Sequence, residues 1–249
     1  MALLEVQGLS VAFGGSKAVD GITLQVESGQ LVGLIGPNGA GKTTTVDAVT
    51  GFVPPTGSVT FGGILLDGPG RFRRHALSPT KRARLGLART WQSAELFVDL
   101  TVMDNLRVAG ERNADAALEE ILESLGLLAF SGDLVTALSH GQRKLVGVAR
   151  ALAASPKLVC MDEPAAGLDT KESEHLGKRI REIADHGTAV LLIDHDMGLV
   201  LSISDYVYVL DFGKVIAQGP PAEIRTNDQV IEAYLGRRHK EQLAAEATK

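Results

Sequence analysis

Leu31-Val32-Gly33-Leu34-Ile35 is an unbroken apolar run that leads into Gly36-Pro37-Asn38-Gly39-Ala40-Gly41-Lys42-Thr43-Thr44. Five apolar or small residues with no polar alternation read as a strand covered on both faces. The stretch from about Lys42 to Thr50, stopped by Gly51, reads as a helix. Between them lies the full glycine-rich pattern of a P-loop. Its glycines let the backbone wrap phosphate oxygens at the positive end of the following helix. Gly36, Asn38, Gly39, Gly41 and Thr44 therefore belong to a phosphate cradle. Lys42 reaches the β- and γ-phosphates, and the Thr43 hydroxyl is placed for Mg²⁺. The strand, the helix and the Lys-Thr pair together point to a nucleoside triphosphate.

Outward from this segment the chain alternates strand and helix signals, which predicts an α/β fold with a largely parallel sheet. Ala2 to Val6 and Ile22 to Val26 read as strands, with turns at Gly14-Gly15 and Ser28-Gly29. Ser58 to Leu66 reads as a hairpin bending at Gly62-Gly63. From Pro79 to Ala153 the pattern is mainly helical, clearest from Ala116 to Leu127. Strands are expected at Leu158 to Met161, Ala189 to Ile193 and Tyr206 to Leu210, with a helix from about Thr170 to His186. The polar segment Arg237 to Lys249 reads as a tail.

A P-loop needs an acidic element to hold the magnesium and orient a water. The strand ending in Asp162-Glu163-Pro164 supplies one at the sheet's carboxyl edge, where such sheets bind ligands. Asp162 is expected to hold Mg²⁺ and Glu163 to act as general base. His195 follows the next apolar strand and is placed to reach a γ-phosphate.

The bulk numbers narrow the class. The 249 residues are 45% hydrophobic, enough for a substantial core. A net charge of −5 and 4% aromatics argue against a nucleic-acid-binding surface. One cysteine, Cys160, excludes an internal disulfide and fits a reducing compartment; its apolar neighbours predict that it is buried. No segment approaches the ~20 apolar residues that span a bilayer, and the N-terminus lacks the pattern of a signal peptide. A cytoplasmic location is expected, with any membrane attachment made through partners.

Leu138-Ser139-His140-Gly141-Gln142 narrows the class further. It resembles the LSGGQ signature of ABC-type ATP-binding cassettes and precedes a helix, whose N-terminus offers a second phosphate site through Ser139 and the Gly141 backbone. The departure is His140, where glycine is commonest. The resemblance covers about residues 1–236 and implies a RecA-like P-loop NTPase core, an antiparallel β subdomain, and an inserted helical subdomain at about 93–154. It implies that Phe13 stacks on adenine, that Gln92 senses Mg²⁺ and the γ-phosphate, and that Ala166-Gly167-Leu168-Asp169 signals between cassettes. Ser139, Gly141 and Gln142 would then meet ATP bound to the opposite cassette, and His195 would be the switch histidine. ATP and Mg²⁺ are the implied cofactors. The implied partners are a second cassette (a copy or a sister subunit), transmembrane permease subunits and, indirectly, an extracytoplasmic solute-binding protein.

The finer likeness is to ATP-binding subunits of importers for branched-chain and other hydrophobic amino acids. It is carried by Gly86 to Gln92, Glu163 to Asp169 and Val230 to Gly236; Trp91 stands where that group usually has phenylalanine. Similar cassettes serve urea, short amides or lipopolysaccharide export. Leu96, Phe97 and Val98 read either as contacts for a permease coupling helix or as subdomain core. A soluble ABC ATPase of ribosomes or DNA would carry paired cassettes or a long coiled coil; this chain has one P-loop, one signature and no long heptad stretch.

Overall fold

The computed structural model describes residues 2–69, 76–90, 95–110 and 113–234. The chain opens with two long strands, β1 (Leu4–Phe13) and β2 (Ser16–Val26), joined at Gly14-Gly15. After β3 (Leu31–Ile35) and α1 (Lys42–Thr50) come β4 (Thr56–Phe61) and β5 (Ile64–Asp67). These four outer strands form an antiparallel sheet in the order β2-β1-β4-β5.

A second arm follows through α2 (Pro79–Arg84), the short strand β6 (Leu87–Arg89), and the helices α3 (Val102–Ala109), α4 (Asp115–Ser124) and α5 (His140–Ala153). The chain returns to the core through β7 (Leu158–Asp162), α6 (Thr170–Asp185), β8 (Ala189–Ile193) and α7 (Met197–Ile203). It ends in β9 (Tyr206–Asp211), β10 (Lys214–Gly219), α8 (Pro221–Arg225) and a helical stretch at 228–234. The central sheet runs β10-β9-β3-β8-β7-β6 and is parallel except where β10 returns against β9.

Both faces of this sheet are covered, which is why β3, β7 and β8 are buried throughout. Alternate residues go to opposite sides. Leu31, Ile35, Val159, Met161, Val190 and Leu192 pack with α3 to α7. Val32, Leu34, Cys160, Leu191 and Ile193 pack with α1 and the antiparallel sheet. Pleating thus makes one apolar strand serve two cores.

One correction concerns the region read as helical from Pro79. It contains the strand β6, which pairs Leu87 to Arg89 in parallel with Leu158 to Cys160. Three residues are too few to show a period, so pairing with β7 rather than local pattern makes this strand.

Arg82 shows how the second arm is fastened. It is fully buried on α2, and its Nη1 donates to the Ala48 and Val49 carbonyls at 3.1 and 2.7 Å. Its Nε donates to Leu77 O at 2.8 Å, and Nη2 pairs with Asp67. A cation thus caps the C-terminal end of α1, where carbonyls lack helical partners and the dipole is negative.

Candidate functional site

The cradle forms because the parallel strand β3 ends at the sheet's carboxyl edge and six residues separate it from the start of α1. Two of its glycines are required by space. A Cβ on Gly36 would lie 2.2 Å from Leu210 O, and one on Gly41, at φ +100°, would lie 2.6 Å from Ala18 O. The loop is tied to the fold by the Gly213 N–H, which donates to Ala40 O at 3.0 Å. Gly41 caps α1 without a side chain, and the first turn carries no acidic residue. Its leading N–H groups are therefore oriented towards an anion without a competing carboxylate. Lys42 is buried, and its ammonium donates to Gly36 O at 2.7 Å and Pro37 O at 3.1 Å. The loop's own carbonyls so hold a positive charge at the cradle. Asn38 and Gly39 form its exposed tip, and Thr44 is half-buried behind Thr43.

The predicted carboxylates arrive at the same edge. Register places Asp162 beside Ile193, and Ile193 beside Leu34 of β3. Thr43 Oγ1 donates to Asp162 Oδ1 at 3.4 Å, and Arg89 Nη2 donates to Oδ2 at 3.1 Å. Burial pushes the Asp162 carboxyl above the usual range, against the opposing pull of the Arg89 guanidinium. Glu163 has φ +48°, a left-handed backbone that is costly for a side-chain-bearing residue. Its N–H donates to Ile193 O at 2.8 Å, which holds the strained turn in place.

His195 stands at the end of β8 with its side chain 58% exposed and Nδ1 3.3 Å from Asp194 Oδ1. Sequence reasoning passed over Asp194. It is wholly buried, accepts from the Ala165 and Asp196 N–H groups at 3.2 and 3.0 Å, and so joins the loops after β7 and β8. Lys144 of α5 lies close enough to Asp194 and Glu163 to feel both charges. Burial lowers its pKa and the two carboxylates oppose that shift. The helical arm thereby brings a cation near the acidic edge.

The residues read as a second phosphate site form a separate group. Ser139 caps α5 in a reciprocal pair with Gln142, accepting from Gln142 N–H at 3.2 Å while Ser139 N–H donates to Gln142 Oε1 at 2.9 Å. Asp169 caps α6 with Glu172 in the same way. A Cβ on Gly141 would lie 2.9 Å from Glu172 Oε1, so these two helix starts abut. The His140 ring turns onto Gly167, where an added Cβ would sit 3.2 Å from its Nε2. Phe13 projects from the end of β1, 54% exposed. Gln92 lies outside the described residues.

A cleft of about 380 Å³ separates the arm from the core; Phe52, Ala83, Arg89, Lys144, Arg150 and Pro164 are among its walls. Phe97 and Val98 are exposed, whereas Leu96 packs against the core. No helix among the described residues is long and apolar enough to cross a membrane.

A strand–glycine loop–helix unit facing two strand-end carboxylates defines the class of P-loop nucleotide hydrolases. Residues 19–166 match the ABC transporter family, and residues 214–240 match the branched-chain amino acid ATP-binding cassette transporter pattern. The chain belongs to the ABC transporter family, as an ATP-binding subunit of the kind that hydrolyses ATP to drive transport.

It is 41% identical to the high-affinity branched-chain amino acid transport ATP-binding protein BraF of Pseudomonas aeruginosa, over 94% of this chain and 98% of that one. Identity to LivG of Escherichia coli, of the same description, is 40% with the same coverage. Identity to the lipopolysaccharide export system ATP-binding protein LptB of Escherichia coli is 36%, over 95% and 98% of the two chains. Among solved structures, a nucleotide-free ATP-binding cassette from an ABC transporter superposes with a TM-score of 0.83 at 28% identity, over 94% of this chain and 99% of that one. The ADP conformation of such a cassette gives 0.83 at 29%, over 95% and 99%.

Proposed function

We propose that this chain is the ATPase subunit of an importer for branched-chain or other hydrophobic amino acids. The observation that carries the cargo class is the likeness to BraF and LivG over 94% of the chain, with the pattern at residues 214–240 in support. That C-terminal match favours amino acids over the lipid export that the LptB likeness would suggest.

The phosphate chain of ATP lies along the Gly36–Thr43 loop, with N–H groups of the first turn of α1 and the Lys42 ammonium meeting its oxygens. Phe13 covers the adenine by stacking. The donor set suits Mg²⁺: Thr43 Oγ1 and Asp162 Oδ1 are hard oxygens 3.4 Å apart. Thr43, Asp162 and Gln92 would hold Mg²⁺, which would supply neutralisation of phosphate charge. Glu163 takes the proton of the attacking water, and its strained backbone sets the carboxylate beyond the end of β7. His195, steadied by Asp194, orients the γ-phosphate.

Ser139 and Gly141 of a second cassette complete each site, and the cleft beside Phe52, with exposed Phe97 and Val98, receives the permease. The cassette core spans residues 1–236 with residues 93–154 as its helical arm. The protein works at the inner face of the cell membrane through its permease, with a solute-binding protein outside.

The test is a pull-down of the tagged Glu163→Gln chain from gently solubilised native membranes with ATP present. Permease subunits and a solute-binding protein that binds leucine, isoleucine or valine are expected. Recovery of lipid-export components instead would overturn the cargo assignment.

A further inference from the structure

Arg89 is a buried cation at the base of the site that the nucleotide-binding reading leaves without a role. Its side chain is 6% exposed at the end of β6. One guanidinium nitrogen pairs with Asp47 Oδ1 of α1 and another with Asp162 Oδ2 of β7, while Cζ stands 5.9 Å from the Phe52 ring centroid. The fork therefore braces two elements that both reach the phosphate cradle.

The contact is specific to one oxygen. Arg89 donates to Oδ2 of Asp162, and Oδ1 is the atom that meets the Thr43 hydroxyl. A carboxylate held by one oxygen against a planar, two-pronged donor cannot rotate freely about its terminal torsion. Arg89 also lines the cleft between the arm and the core, together with Lys144 and Pro164. It thus touches the wall of that cleft and the magnesium carboxylate with the same side chain.

We infer that Arg89 is a positioning residue for Mg²⁺: by holding Asp162 Oδ2 while anchored to Asp47, it turns Oδ1 to the metal. This rests on the reading of Thr43 and Asp162 as magnesium ligands. Partners that orient metal ligands commonly govern affinity for the ion without touching it.

The test measures binding of a fluorescent N-methylanthraniloyl-ATP to the full chain, first in EDTA and then across a Mg²⁺ titration. Arg89→Lys keeps the charge but loses the fork, because one ammonium cannot serve Asp47 and Asp162 in the same geometry. Metal-free affinity should stay within about twofold, while half-saturating Mg²⁺ rises about tenfold. Asp47→Asn removes the charged anchor that fixes the fork, so Arg89 holds Asp162 less precisely; the same shift is expected at about threefold, and this variant decides the matter if Arg89→Lys does not fold. Half-saturation unchanged in the folded variants overturns the inference. Asp162→Asn separates the two claims: if it too leaves Mg²⁺ dependence unchanged, the metal-site reading itself fails. If it alone raises half-saturation, only the role of Arg89 fails.

Discussion

Replacing Arg82 by methionine keeps a long apolar stem and removes the guanidinium. The structure predicts a large loss of stability. Arg82 and Asp67 have side-chain exposures of 2% and 7%, so neither is well screened by water. Deleting one partner of such a pair leaves a buried charge and costs about 3–5 kcal/mol. The Ala48, Val49 and Leu77 carbonyls lose a charged donor as well. These losses overlap, so the expected total is about 4 kcal/mol. At roughly 2–4 °C per kcal/mol for a chain of this size, the thermal midpoint should fall by about 8–16 °C. Urea unfolding followed by circular dichroism measures the free energy directly. The double variant Arg82→Met/Asp67→Leu removes the orphaned charge and should recover about half the deficit. A single variant losing less than about 1 kcal/mol would refute the reasoning. So would a double variant less stable than the single one.

Other outcomes follow from the site. Glu163→Gln should lower turnover about 100-fold or more at saturating ATP while leaving nucleotide affinity within about threefold; unchanged turnover in a phosphate-release assay would remove Glu163 as base. Ser139→Ala loses the reciprocal cap of α5 and should cost about 1 kcal/mol in urea unfolding. In a Glu163→Gln background it should also abolish ATP-driven dimerisation on size exclusion, as the proposed contact of Ser139 with ATP in the opposite cassette requires. Burial pushes the Cys160 thiol up to about 12, so hardly any thiolate exists at pH 8. Ellman's reagent at that pH should label one equivalent only after denaturation, and fast labelling of the native chain would contradict the packing of β7.

The cradle was legible because its signals are local. Glycine punctuation and the apolar run placed β3 and α1 with the bounds observed, Leu31–Ile35 and Lys42–Thr50. Asp162, Glu163 and His195 fall at one edge because β7 and β8 are parallel neighbours, a topology the alternation of strands and helices already implied. Other elements gave no local sign. The helix α7, Met-Gly-Leu-Val-Leu-Ser-Ile, lacks a polar face and so shows no helical period. The hairpin strand β10 was likewise passed over. Arg89 could be read only as part of a motif, since its partners lie 42 and 73 residues away. Asp194 looked like the flank of His195, and only burial reveals it as the joint between two loops. The contact of His140 with Gly167 arises from two helix starts that meet in space, which no spacing announces.

The position of β3 between β8 and β9 has a consequence for how the protein is made. The strand that ends in the phosphate loop takes its backbone partners in the sheet from β8 and β9, far along the sequence, and the Leu31 N–H donates to Asp205, 174 residues further on. At roughly 5–20 residues per second, a ribosome needs about 8–34 s after finishing the loop to deliver the last of those partners. For most of that interval the glycine loop has no sheet neighbour to hold its shape. A chain interrupted before β9 would carry the complete loop sequence yet lack a neighbour of its strand, so competence to bind nucleotide is acquired only after β9 has been made.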